Sequence, residues 1–171
     1  MQPKPLSTYK RILVLGDSGR GKTTFANLLS KKLNIPHYST DDFFWKVKFT
    51  EVNDRAQSVI EINKVYHSDE WVVDGTTRRL LNAGLEKSDA IFYLRYKSII
   101  PQYYFIIKRK FRRKHESFSD LWGLLKHVTY KRYKKGYGNY SEPLDVLLKP
   151  YMNKTITFDS MRDIRKYSDS I

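Results

Sequence analysis

The stretch from residue 11 to residue 29 constrains this chain more than any other, because it joins an apolar run, a glycine-rich loop and an amphipathic run. The apolar run Ile12–Leu15 ends where a Gly-x-x-x-x-Gly-Lys-Thr motif begins. Apolar residues then return at helical spacing, at Phe25, Leu28 and Leu29. A strand, a glycine-rich loop and a helix in this order form the context that a P-loop requires. The sequence therefore predicts a P-loop at this motif.

The residues of the motif indicate how it would hold a phosphate group. Its glycines let the backbone turn tightly, so that successive N–H groups point inward at the positive end of the helix. The residues expected to bind the nucleotide phosphates are Gly16, Asp17, Ser18, Gly19, Arg20, Gly21, Lys22, Thr23 and Thr24. Within this set, Lys22 should reach the β- and γ-phosphates, and the Thr23 hydroxyl should be a Mg²⁺ ligand. The alternative is a glycine-rich turn that arose by chance.

Length and composition place the chain in a broad class. Its 171 residues suit one domain with one sizeable core. The chain contains no cysteine, which excludes disulfides and thiol chemistry. The first ten residues contain no apolar stretch typical of a signal peptide, and no apolar run approaches the roughly 20 residues that span a bilayer. We expect a cytoplasmic protein without a membrane partner.

The net charge of +14 is concentrated in one segment. Residues 95–135 contain 13 Lys and Arg against two acidic residues, a net charge of +11. Aromatic residues are interleaved with these basic ones, as in proteins that bind single-stranded nucleic acid. The same pattern also fits two amphipathic helices with buried aromatic faces and solvated lysines. In either case the partners should be anions, such as nucleotides, phosphorylated substrates or nucleic acid.

Strand and helix patterns alternate along the whole chain. Strands are expected at about residues 10–15, 35–39, 71–75, 89–94 and 153–158. Helices are expected at about residues 22–33, 54–67, 80–85, from 99, 117–137, 141–149 and 161–167. Strands that alternate with helices favour βαβ units and a parallel sheet. We predict an α/β, three-layer P-loop NTPase fold with about five parallel strands, as a single domain over residues 1–171.

Two acidic residues follow predicted strands at the edge of the sheet where ligands bind. Asp74 ends the third strand, which should lie beside the first, so we assign it to Mg²⁺ through a water molecule. Asp41 lies farther out, so we assign it to orienting or deprotonating the acceptor. Each could otherwise be a capping residue. Arg78 and Arg79 come next and could hold an acceptor anion; we choose Arg78 and expect at least one of the two to be a plain surface arginine.

Several blocks together resemble one known family. The first two blocks are the P-loop and Ile35-Pro36, followed by Asp41 and Trp45. The third is the predicted strand Trp71–Gly75. The last two are the stretch Ser88–Leu94, which contains the fourth predicted strand, and the closing strand Lys154–Phe158 with the two residues after it. In these blocks the chain resembles the small adenylate-kinase-like P-loop kinases, often called DNA topology modulation proteins. The resemblance covers nearly the whole chain, and the Trp71–Gly75 block is its more specific part.

The resemblance implies a nucleoside-monophosphate-kinase fold that uses ATP and Mg²⁺. It also implies a short basic lid over the phosphates, at approximately residues 109–118, in which Arg109 and Arg113 would be catalytic. Two departures lie on the acceptor side. Residues 95–97 are Arg-Tyr-Lys where such kinases often have an acid and a proline, and Thr76-Thr77 replaces a common Asn-Tyr pair. The acceptor therefore stays open.

Three functions fit these features. The first is a kinase that moves the ATP γ-phosphoryl group to a small acceptor such as a nucleoside or nucleotide. The second is a nucleic-acid-directed P-loop protein, either a polynucleotide end kinase or an NTP-dependent nucleic-acid binder, that would use the basic segment 95–135. The third, a regulatory GTPase, is disfavoured because the chain lacks a base-reading Asn-Lys-x-Asp motif. We predict the first function.

Overall fold

The computed structural model describes residues 5–47, 51–95, 98–112, 118–132 and 143–170. The strands are β1 (Arg11–Leu15), β2 (His37–Ser39), β3 (Trp45–Val47), β4 (Glu51–Val52), β5 (Trp71–Gly75), β6 (Ala90–Leu94) and β7 (Thr155–Phe158). The helices are α1 (Lys22–Leu33), α2 (Thr40–Phe44), α3 (Arg55–Tyr66), α4 (Asn82–Lys87), α5 (Ile100–Arg112), α6 (Phe118–Arg132), α7 (Leu144–Leu147) and α8 (Met161–Ser170). Short 3-10 helices span Leu6–Thr8, Arg78–Leu80 and Lys149–Lys154.

Five strands form one parallel sheet in the order β2-β5-β1-β6-β7. The apolar runs of β5 and β6 are buried along their whole length, as expected for inner strands of a parallel sheet covered on both faces. The first strand lies at the centre, between β5 and β6. The predicted five-stranded parallel sheet is therefore confirmed, including the placement of the Asp74 strand beside the first strand.

Helices cover the sheet on both faces. On one face, α1 and α8 pack over a cluster that contains Phe25, Leu29, Phe92, Phe158 and Tyr167. On the other face, α3, α4 and α7 contribute to a cluster that contains Ile62, Tyr66, Trp71, Leu85 and Leu144. Helix, sheet and helix thus form the three predicted layers.

Element boundaries follow local sequence signals closely where those signals are strong. The helix predicted over residues 22–33 is α1, and Asn34 ends it in the left-handed conformation, with φ of 57°. The helix predicted over residues 141–149 was wrong in length. Among the described residues 143–149, only α7 is α-helical. A 3-10 helix follows with Pro150 in its first turn, where the missing backbone N–H of proline is tolerated.

The segment after β2 differs from the prediction. It forms the short helix α2 and then an antiparallel pair of β3 and β4, neither of which was predicted. The Ser39 hydroxyl caps α2 by accepting a hydrogen bond from the Asp41 N–H. The capping role considered for Asp41 thus belongs to Ser39, and Asp41 lies in the first turn of the helix.

The described part of the basic segment contains α5 and α6, which contact each other through a hydrogen bond between the Tyr103 and Thr129 hydroxyls. Its aromatic residues are neither all buried nor all exposed. Tyr103 is partly buried, whereas Tyr104, Trp122 and Tyr130 are exposed. No helix within the described ranges is both long and apolar enough to cross a membrane.

Candidate functional site

The glycine-rich loop between β1 and α1 has the backbone that the motif predicts. Gly19 and Gly21 have φ of 76° and 77°, in the left-handed region that favours glycine. Gly21 directly precedes α1, so the loop leads its N–H groups to the positive end of that helix. This arrangement of loop and helix suits a phosphate group.

Side chains around the loop hold its shape. Arg20 is 6% exposed; its guanidinium pairs with the Asp17 carboxylate at 2.9 Å and donates to the Leu94 carbonyl oxygen at 2.9 Å. Gln102 of α5 also contacts the loop and donates through Nε2 to the Ser18 carbonyl oxygen at 2.6 Å. The Arg20 side chain therefore braces the loop against β6, which leaves its backbone as the part available to a phosphate.

Lys22 is the first residue of α1, and its ammonium donates to the Asp17 carbonyl oxygen at 3.2 Å. Desolvation lowers the pKa of Lys22, while the charges of Asp74, Asp41 and Asp17 partly oppose that shift. The ammonium is thus bound to the backbone of the loop and lies within electrostatic reach of three carboxylates. A polyphosphate would supply the compensating negative charge directly.

Asp74 is the buried carboxylate of the site, with 1% of its surface exposed. Its Oδ2 accepts from the Thr23 hydroxyl at 2.6 Å, and its Oδ1 contacts Nε2 of His37 at 3.4 Å. Burial by itself would raise the pKa of Asp74. Hydrogen bonds from His37, Thr23 and Ser39 and the charge of Lys22 outweigh burial and hold that pKa below its ordinary value. Asp74 is therefore ionised near neutral pH.

Thr23 and Asp74 fit a magnesium ion through their chemistry. The described residues contain no group of three His, Cys, Asp or Glu side chains that could hold a metal by themselves. Mg²⁺ prefers a few protein oxygens and takes its remaining ligands from water and substrate phosphates. The Thr23 hydroxyl can offer a lone pair to the ion while it donates its hydrogen to Asp74, whose carboxylate can accept from a metal-bound water.

Asp41 lies in the first turn of α2, directly after β2. It follows the edge strand β2, is partly exposed, and its charge acts on the Lys22 ammonium. The two acidic residues thus occupy different environments: Asp74 is enclosed between the loop and β2, whereas Asp41 can reach solvent. That difference suits a fixed charge at Asp74 and, at Asp41, a group that can contact a second substrate.

Arg78 and Arg79 form the turn after β5, and both are partly buried. The expectation that at least one would be a plain surface arginine was therefore wrong. The Arg79 guanidinium stacks on the Phe44 ring at 4.7 Å, and its Nε and Nη2 atoms are buried without a hydrogen-bond partner among the described residues. Arginine stacks readily on aromatic faces, and this contact with Phe44 explains why the Arg79 side chain is partly buried.

The predicted lid arginines are placed only in part. Arg109 lies on α5, and the backbone alone is described there; Arg113 and half of the predicted lid at residues 109–118 lie outside the described residues. Their catalytic roles stay predictions. The direction of α5 is set by Gln102 and Ile106, which contact the phosphate loop one helical turn apart.

The sequence analysis missed two residues of the site, His37 and Gln102. His37 belongs to a three-residue strand, and its contact with Asp74 depends on the register of β2 against β5, which pairs Ser39 with Asp74. Side chains two residues apart on a strand share a face, so the register would have placed His37 on the same face as Ser39. Gln102 left no local signal, because one polar residue on a helix does not reveal its partner.

Comparison with known proteins begins with the sequence. No protein-family model matches the chain. A stretch of 82 residues is 39% identical to the adenylate kinase of Corynebacterium diphtheriae and covers 47% of this chain and 42% of that protein. A stretch of 83 residues is 34% identical to the adenylate kinase of Bartonella tribocorum and covers 47% and 40%. The similarity thus spans about two fifths of the length of these curated relatives. It confirms the predicted resemblance to adenylate kinases for half of the chain.

Comparison with solved structures covers nearly the whole chain. A gluconokinase from Sinorhizobium meliloti 1021 superposes with a TM-score of 0.57 at 15% identity, over 94% of this chain and 87% of that one. A shikimate kinase from Bacteroides thetaiotaomicron superposes with a TM-score of 0.53 at 14% identity, over 95% of each chain. At such low identity these likenesses show the fold alone. They confirm the predicted three-layer fold of small P-loop kinases.

Proposed function

We propose that this chain is an ATP-dependent kinase that transfers the γ-phosphoryl group to a small acceptor, with nucleosides and nucleotides as the first candidates. The observation that carries the proposal is the junction of β1, α1 and β5. There Lys22 and Thr23 of the glycine-rich loop lie beside the buried, ionised carboxylate of Asp74. Phosphoryl transfer needs positioned charge more than covalent chemistry from the protein, and this junction supplies positioned charge.

The nucleotide half of the site follows from the loop. Backbone N–H groups between Gly16 and Thr24 would hold the phosphates, and the Lys22 ammonium would leave the Asp17 carbonyl oxygen for the β- and γ-phosphates. Thr23 and Asp74 would hold Mg²⁺, which when bound neutralises charge on the phosphate oxygens. The low pKa of Asp74 keeps its negative charge available for that purpose at neutral pH.

The acceptor half is proposed to lie between α2 and the turn after β5. Asp41 would orient the acceptor hydroxyl and take its proton as the oxygen bonds to the γ-phosphorus and the bond to the β-phosphate breaks. Arg78 would hold an anionic group of the acceptor. Arg109 and Arg113 would approach the transferring phosphoryl group from the lid and balance its charge.

The relatives favour this function over the nucleic-acid-directed alternative. Half of the chain is similar to adenylate kinases, which are named for an activity on a small molecule. None of the similar proteins described above has a name that refers to nucleic acid. The basic helices α5 and α6 then have a simpler role, since their charge would draw polyphosphates toward the loop.

ADP release tests the proposal. Wild-type protein and Lys22→Ala are incubated with Mg²⁺ and ATP, and with nucleoside, nucleoside monophosphate, sugar-acid or oligonucleotide acceptors in separate reactions. We expect one small-molecule class to stimulate ADP release by wild type and Lys22→Ala to lose both this activity and most nucleotide affinity by calorimetry, because the variant removes the cation that contacts the phosphates. Stimulation by oligonucleotides alone would reverse the preference between the two functions, and unchanged nucleotide affinity in Lys22→Ala would remove the phosphate-site assignment.

A further inference from the structure

The contact between His37 and Asp74 has no part in the function described so far. His37 opens the edge strand β2, and its side chain is 14% exposed, so it lies largely inside the protein. Its Nε2 atom lies 3.4 Å from Oδ1 of Asp74, while the other oxygen of the same carboxylate accepts from the Thr23 hydroxyl. Both oxygens of the candidate magnesium carboxylate are therefore contacted, one by His37 of β2 and one by Thr23 of α1, and the Ser39 side chain also hydrogen-bonds to this carboxylate.

The chemistry of the pair fixes the direction of this hydrogen bond. An ionised carboxylate can only accept, so the imidazole must carry its hydrogen on Nε2 and donate it to Oδ1. A carboxylate held at one oxygen could still rotate about its terminal bond. With a second donor at the other oxygen, its plane and its remaining lone pairs point in one direction.

We propose that His37 is a positioning residue that orients the Asp74 carboxylate toward the water shell of a magnesium ion and thereby sets how strongly Mg²⁺ tightens nucleotide binding. The inference rests on the proposed function, because it takes the P-loop as the nucleotide site. Partners behind a metal-associated carboxylate commonly change metal affinity by about 10- to 100-fold when they are removed. The 3.4 Å contact is long, which places the expected effect at the lower end of that range.

The pattern of contacts distinguishes this role from simple core support. His37 donates to a charged group that itself accepts a hydrogen bond from Thr23, the predicted metal ligand. Its removal should therefore change the metal-dependent part of nucleotide affinity and leave the metal-independent part intact. That separation provides the test.

The experiment measures binding of the non-hydrolysable ATP analogue AMPPNP by calorimetry, once in EDTA and then across a Mg²⁺ titration. The variants are His37→Leu, which deletes the donor at similar volume, and His37→Gln, which offers an amide donor in its place. His67→Leu is the matched control, since His67 is an exposed histidine at the end of α3 that contacts its own helix at the Asn63 carbonyl oxygen. Thermal unfolding without ligand verifies that each variant folds, and His37→Ala replaces the leucine variant if that one does not.

We expect His37→Leu to raise the Mg²⁺ concentration for half-maximal tightening by roughly tenfold, while AMPPNP affinity in EDTA stays within about twofold and His37→Gln recovers most of the wild-type response. An unchanged Mg²⁺ response, an equal loss in EDTA, or a failure of His37→Gln to recover would each overturn the positioning role. Wild-type protein that does not bind AMPPNP would overturn this inference together with the nucleotide site. Normal binding without transfer to any acceptor would overturn the kinase proposal alone.

Discussion

Gly19 and Gly21 have the same left-handed backbone but different surroundings, and the difference measures how firmly α5 supports the phosphate loop. Their φ angles are 76° and 77°. A Cβ added at Gly19 would lie 2.6 Å from Cγ1 of Ile106 and 3.0 Å from the Gln102 carbonyl oxygen. A Cβ added at Gly21 would meet no atom within 4 Å. Alanine at either position is strained, but only alanine at position 19 also collides with α5.

The magnitudes follow from these two situations. A non-glycine residue in the left-handed conformation costs about 1–2 kcal/mol, and this applies equally to Gly19→Ala and Gly21→Ala. Overpacking a well-filled core adds about 1–3 kcal/mol, and this applies to Gly19→Ala alone because Ile106 is buried and α5 must shift. We therefore expect a loss of about 1–2 kcal/mol in Gly21→Ala and about 2–5 kcal/mol in Gly19→Ala.

Equilibrium urea unfolding measures both losses of unfolding free energy. The slope of this free energy against urea concentration should be the same in all variants, which confirms that only stability has changed. Ile106→Ala completes a double-mutant cycle, since it removes the Cγ1 atom in the collision. Alone it should cost about 2–5 kcal/mol, and together with Gly19→Ala it should cost less than the sum of the two single losses. Equal losses in Gly19→Ala and Gly21→Ala, or strict additivity in the cycle, would show that α5 does not press on the loop.

Three further outcomes follow from the acidic residues. Asp41→Asn should keep ATP affinity near wild type while single-turnover transfer falls by about 100-fold, because it removes a general base; transfer at the wild-type rate would leave Asp41 without a chemical role. Asp74→Asn should instead weaken the effect of Mg²⁺ on nucleotide affinity. Asp89 is partly desolvated, but hydrogen bonds from the Arg11 backbone, the Arg11 guanidinium and the Lys10 N–H hold its pKa below the ordinary value. Its stabilising effect is therefore present above the unfolded-state pKa of about 3.9 and is lost as pH falls through the folded-state pKa. In thermal unfolding from pH 5 to pH 2, the melting temperature of Asp89→Asn should therefore fall less steeply with acid than that of the wild type. An identical fall in the two proteins would contradict this role.

The parts of the fold that the sequence predicted are those governed by neighbours along the chain. The glycine spacing and the apolar run before it locate β1, the loop and α1 within about one residue, because both signals act over a single turn or strand. The strand that ends at Asp74 lies beside β1, as predicted. The tendency of consecutive strands to be neighbours does not explain this placement, because it would favour the strand that ends at Ser39. Local signals thus predict the glycine-rich loop and its flanking elements, whereas the strand order also depends on the topology of the whole sheet.

The missing parts depend on contacts between distant residues. His37 meets Asp74 through strand register, Gln102 meets Ser18 across 84 positions, and Arg79 turns inward because Phe44 offers a ring to stack on. The pair β3 and β4 is only three and two residues long, which is too short for an alternating pattern to stand out. Side-chain partners of this kind require the three-dimensional arrangement.

The strand order also suggests which parts of the candidate site can accept substitutions and which cannot. The proposed nucleotide half is built on β1 and β5, which are inner strands of the sheet, so substitutions there disturb its centre. The proposed acceptor half follows the edge strand β2 and includes α2, and the short strands β3 and β4 come next, before α3. Peripheral segments of this kind tolerate changes in length and composition better than enclosed strands do. Under the proposed function, a change of acceptor would therefore require substitutions mainly in this segment and would leave the central strands unchanged.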